Sequence, residues 1–153
     1  MPYLSDSPDV GNHLHTHFDD YFCAEKVDSA EDVLDNARSF MESRSSFFGL
    51  INMGETHSPY RNYESRSTRD IIGGVDSGEF TYEELQGDQV SAAGELIQRI
   101  SVFRDSIPGG TKVIVTSDHG ELFGEGGGFG HNPHKKAVFH EKLFEVPLVS
   151  WIQ

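Results

Sequence analysis

Three groups of residues have the chemistry and the setting of a site. Asp118-His119-Gly120 follows the apolar run Val113-Ile114-Val115 and precedes Glu121. A carboxylate and an imidazole together suit a divalent cation such as Zn or Mn, and added oxygen ligands would bring Ca or Mg into range. Successive side chains of an extended strand diverge, so Asp118 and His119 can share one metal only where the strand has ended. Gly120 lets the backbone turn sharply there. The competing reading is a turn or helix cap in which Asp118 accepts from nearby N–H groups.

The second group is Glu55-Thr56-His57-Ser58-Pro59-Tyr60, again after an apolar run. Ser58-Pro59 holds the backbone extended or turned. An imidazole at His57 can bind an anionic oxygen or protonate a leaving group. The plainer reading is a loop histidine bonded to backbone. The third group is His131, His134, Lys135, Lys136 and His140. It offers positive or metal-binding groups in an acidic chain, and competes with a solvated loop. The glycines preceding it argue against preorganisation. His13, His15 and His17 alternate and would form a metal comb on a strand, but their surroundings read as loop. Asp19-Asp20 has no apolar strand before it.

The elements that would position these groups follow from periodicity. A helix is expected after Ser29, with Asp32 three residues on and Val33, Leu34, Ala37, Phe40 and Met41 on one face. Phe47 to Met53 reads as a strand buried on both sides. Residues 54–78 read as a polar, turn-rich surface excursion. A second helix is expected from Thr81, with Glu84 completing a capping box and Val90, Ala93, Leu96, Ile97, Ile100 and Phe103 on its apolar face. Pro108-Gly109-Gly110 stops it. Lys112–Thr116 reads as a second buried strand. Gly124 to Gly130 reads as a flexible loop, and Val146 to Trp151 as a third strand, with Pro147 at a start or an edge. Strand, helix, strand implies right-handed crossovers and a mostly parallel α/β sheet with flanking helices. Residues 1–28 form an irregular segment ahead of an α/β domain over 29–153. In such sheets ligands bind beyond the carboxyl ends of the strands, where the His57 and Asp118-His119 groups fall.

Composition narrows the function classes. The chain has 153 residues, with 25 acids against 12 bases and a formal charge of −13. Nucleic acid would be repelled at long range. A small anionic ester would bind only where a metal or local cations reverse the field. The charge otherwise serves solubility, or a salt-rich setting. No apolar run reaches the ~18 residues of a membrane span, and the first residues lack the blocks of a signal peptide, so the expected location is cytoplasmic. The one cysteine, Cys23, excludes an internal disulfide.

Val113 to Glu121, Gly124-Glu125, His131 and Glu145 to Val149, in that order, resemble the C-terminal half of the sulfatase-type catalytic domain of the alkaline phosphatase superfamily. Phe47 to Tyr60 resembles that family's upstream segment with its substrate-side histidine. The resemblance spans residues 30–153. It implies a partial alkaline-phosphatase-like sandwich and hydrolysis of a sulfate or phosphate ester with a divalent metal cation (Ca, Zn, Mn or Mg). By resemblance Asp118 and His119 are metal ligands, His57 and His131 contact the substrate, and Glu121 lies behind the ligands. The family's nucleophile segment and the paired acids before it have no match here, and Cys23 lacks the Pro and Arg of the nucleophile motif. The expectation is therefore a hydrolase fragment, acting on a small anionic ester when complemented by a separate N-terminal chain, with no nucleic-acid or membrane partner. The alternatives are a non-catalytic degenerate domain that binds an anion or a partner chain, and an unrelated α/β domain with a structural Asp-His turn.

Overall fold

A computed structural model of the chain describes residues 30–60, 66–131 and 140–153. Among these residues, three helices, α1 (Ala30–Glu42), α2 (Thr68–Ser77) and α3 (Tyr82–Arg104), accompany four strands, β1 (Lys112–Thr116), β2 (Leu122–Phe123), β3 (Phe129–Gly130) and β4 (Leu148–Ile152). The chain divides into two units, residues 1–56 with 93–108, and residues 57–92 with 109–153.

In the first unit α1 begins one residue past Ser29 and buries Ala30, Leu34 and Met41, the face that 3.6-residue spacing dictates. Glu55 accepts the N–H of Ala30 at 2.6 Å, so a distant carboxylate satisfies one of the four orphan donors of the first turn. Phe40 meets Phe47 edge-on, with centroids 6.2 Å apart. The expected buried strand at Phe47 to Met53 is not formed. These residues have no ladder partner among the described residues, and Phe48 is 76 % exposed. An apolar run is only a candidate strand, because a strand also needs a neighbour to receive its backbone bonds.

In the second unit Tyr60, Ile71, Leu85 and Phe129 form the core, with Ile72, Val75, Phe80, Tyr82 and Phe123 packed against it. Within the stretch expected to be an excursion lies α2. Ser67 and Asp70 close a capping box, and Gly78 ends the helix in the left-handed region at φ 77°. Gly74, which reads as a turn signal, is required for another reason: a Cβ there would strike the Phe80 ring. The start of α3 matches expectation. The Thr81 N–H donates to Glu84 Oε2 at 2.8 Å, and the Glu84 N–H to Thr81 Oγ1 at 3.2 Å. Its buried seam holds Leu85, Ala92 and Phe103, while Val90 and Ile97 of the expected face are exposed.

The mostly parallel sheet is overturned. β1 pairs with β4 antiparallel, from Lys112↔Ile152 to Thr116↔Leu148, and β2 with β3 antiparallel, as two separate two-stranded sheets. Periodicity identifies strands but not their partners' direction, which the connection sets. Between β1 and β4 the described residues hold a hairpin and a 3-10 turn rather than a crossover helix. Nor is β1 buried on both faces, since Ile114, like Leu148 and Val149 of β4, is exposed. Among the described residues no helix is long and apolar enough to cross a membrane.

Candidate metal centre

The Gly-rich segment builds the site. Rather than a flexible loop, residues 122–130 form a hairpin in which Leu122 pairs with Gly130 and Phe123 with Phe129. The turn is tied by Gly124 N–H to Gly128 O at 2.9 Å, and Gly124 holds φ 106°, a conformation that only glycine adopts without strain. Glu125 locks it. One carboxylate oxygen accepts the Phe123 N–H at 2.6 Å, and the other accepts Lys142 Nζ at 2.5 Å. The Lys142 bond holds the Glu125 carboxyl down at about 2 and raises the lysine.

This pairing has a direct consequence for chemistry. Glu121 precedes Leu122 and His131 follows Gly130, so the residues flanking the last bridge face each other across the hairpin's open end. His131 Nδ1 donates to Glu121 Oε1 at 2.8 Å. His119, two residues back along the segment leaving β1, brings its ring centroid to 4.0 Å from that of His131. His119, Glu121 and His131 each offer a ligand atom, all within 4.8 Å of one another, a group that could hold a metal ion.

Gly120 shapes this segment, but not by a left-handed turn, as its φ is not positive. Its backbone lies against the chain at 142–145. The Gly120 N–H donates to Leu143 O at 2.9 Å, and a Cβ would strike the Lys142 carbonyl oxygen. His119 Nδ1 donates to the Gly120 carbonyl at 3.0 Å, which leaves Nε2 as the nitrogen with the lone pair.

The donor set fits a cation. Glu121 is only 9 % exposed in its side chain, and its Oε2 is buried with no hydrogen-bond partner among the described residues. A buried carboxylate oxygen without a hydrogen bond is costly, and a cation or a water molecule bonded to it would each offset that cost. The hydrogen bond from His131 to Glu121 raises that imidazole's pKa, against the opposing effect of burial.

The other sequence candidates fall around this group. His57 brings its ring centroid to 5.6 Å from that of His131, and its Nδ1 donates to the Ser58 carbonyl. Asp118 is 68 % exposed, with its carboxylate 3.7 Å from His119 Nε2 and outside the three-residue group. His140 is a backbone cap, its Nδ1 accepting from the Lys142 N–H at 3.3 Å. His13, His15, His17, Asp19, Asp20, Cys23, His134, Lys135 and Lys136 lie outside the described residues. Sequence reasoning set Glu121 behind the ligands; the structure places it in the three-residue group that could hold a metal ion. The signal was available in Leu122-Phe123 and Phe129, apolar residues placed symmetrically about a glycine turn. No family model, curated protein or solved structure matches the chain.

Proposed function

We propose that this chain carries the metal- and anion-binding residues of a metal-dependent hydrolase acting on sulfate or phosphate esters. The observation that carries the reading is the His119, Glu121 and His131 group with its buried, unpartnered Glu121 oxygen and His57 alongside. Two imidazoles and a carboxylate favour Zn over Ca, Mg or Mn, which suit oxygen-rich shells. Asp118, beside His119 Nε2, is a further oxygen donor to the same ion. A divalent cation bound there supplies Lewis-acid polarisation of an ester oxygen.

The chain's own residues then have distinct tasks. Glu121 and His131 hold each other in the orientation that presents their ligand atoms. His57, whose ring centroid lies 5.6 Å from that of His131, would in its imidazolium form donate from Nε2 to a non-bridging oxygen of the anion, and would pass that proton to the alkoxide as a nucleophile from outside this chain displaces it. The cation reverses the field of the −13 chain at this point, so that an anion can approach. The nucleophile's role is assigned to no residue of this chain.

The test is binding of inorganic phosphate and sulfate to the Zn-loaded chain by calorimetry. Heat of anion binding that requires Zn, and that His57→Ala weakens roughly 10-fold without altering Zn affinity, is the expected result. Anion binding that strengthens below pH 6 without any metal would instead favour a non-catalytic site of protonated imidazoles.

A further inference from the structure

His57-Ser58-Pro59-Tyr60 runs along one face of the hairpin. At one end the His57 ring meets that of His131. At the other the Tyr60 ring sits 6.2 Å from the Phe123 ring, and Tyr60 shares a core cluster with Phe129. Phe123 is two residues past Glu121 on an extended chain, so the two side chains leave from the same face. Tyr60 therefore packs against the face from which Glu121 projects.

Two polar atoms in this neighbourhood lack hydrogen-bond partners among the described residues: the Tyr60 hydroxyl and Glu121 Oε2. Tyr60 is fully buried. A donor and an acceptor buried unpaired in the same place each carry a desolvation cost that one bridging water would remove from both. We propose that Tyr60 is a positioning residue for Glu121: its hydroxyl, through one internal water, holds the carboxylate in the orientation it presents to His119 and His131. Burial, and then the Glu121 charge, raise the phenol's pKa, which favours the O–H donor form of Tyr60. The role of Glu121 as a metal ligand rests on the function proposed above, whereas the coupling between Tyr60 and Glu121 does not.

The experiment is a double-mutant cycle of Tyr60→Phe and Glu121→Gln in the metal-free chain, read by urea unfolding. Tyr60→Phe keeps the packed ring and removes only the hydroxyl. A coupling of roughly two-fold or more in the unfolding equilibrium constant, beyond the product of the single effects, is expected. Additive effects would overturn the proposal, whatever the metal does. In parallel, Zn²⁺ affinity and the visible d–d band of bound Co²⁺ are measured for the wild type, Tyr60→Phe and Ile71→Val. Outer-sphere partners of metal ligands are typically worth about 10–100-fold in affinity, so Tyr60→Phe should weaken Zn²⁺ by that factor and shift the Co²⁺ band. Ile71→Val, an equally buried change in the same cluster, should do neither. A wild type that binds no metal but shows the coupling would remove the metal reading and keep the Tyr60–Glu121 pair. Metal binding unaffected by Tyr60→Phe would overturn the pair's part in holding the ion.

Discussion

Gly120→Ala tests how the site is positioned. The added methyl group would meet the Lys142 carbonyl oxygen, with the Glu145 carbonyl oxygen and the Lys142 carbonyl carbon each 3.0 Å away. All three are backbone atoms, so no side chain can swing aside. Either the segment carrying His119 and Glu121 moves or the 142–145 chain does. Forcing a methyl into a packed site costs about 1–3 kcal/mol. Separation of the two chains also breaks the Gly120 N–H to Leu143 O bond, and a lost hydrogen bond adds about 0.5–1.5 kcal/mol. The expected loss is about 1.5–4.5 kcal/mol, from the combined ranges. Urea unfolding followed by circular dichroism reads it as a lowered midpoint at unchanged slope. Gly87→Ala is the control. Gly87 lies inside α3 with nothing within 4 Å of an added Cβ, so the same chemical change there should stabilise by about 0.5–1 kcal/mol. A Gly120→Ala chain within 0.5 kcal/mol of wild type would refute the close approach of the two segments, and with it this account of how His119 and Glu121 are placed.

Other outcomes follow from single contacts. Ser67→Ala removes the N-cap of α2 and should cost about 1 kcal/mol, as should Thr81→Ala at α3, each read as a drop in the urea midpoint. Glu125, with its carboxyl held at about 2 against an ordinary 4.5, makes a contribution to stability that is complete above the ordinary value and is lost as pH falls toward 2. An acid titration of stability should therefore show a decline between those limits that Glu125→Gln makes shallower, the remainder coming from Asp70 and Glu84, which are also held below their ordinary values.

How far the sequence spoke depended on what each signal encodes. Capping chemistry is local, so the start of α3 was legible from Thr81 with Glu84, while Ser29, the cap expected for α1, lies outside the described residues. The same signal at Ser67 and Asp70, followed by Ile71, Ile72 and Val75, marked α2 equally well. It was masked by reading all of residues 54–78 as a turn-rich excursion, when Gly74 within it is small to admit Phe80. β1 and β4 were found near their observed bounds, but pairing direction is not local, and the parallel sheet inferred from them gave way to an antiparallel pair. Phe47 to Met53 has a strand's composition but forms no strand ladder among the described residues. The sequence singled out His57, His119 and His131 by their positions after apolar runs or beside glycines, and the structure brings their rings together. Glu121 was undervalued because its place opposite His131 exists only once the glycine turn closes.

The central claim is that His119, Glu121 and His131 form one metal-binding unit. Its most direct test is Zn²⁺ titration of the metal-free chain at pH 7.5, with His119→Ala, Glu121→Gln and His131→Ala beside the wild type. The account predicts one ion per chain for the wild type and a large loss of affinity, of about 10-fold or more, in each of the three variants. Wild-type binding that any one of them leaves intact would contradict the three-residue centre, and no binding by the wild type would contradict the metal site altogether.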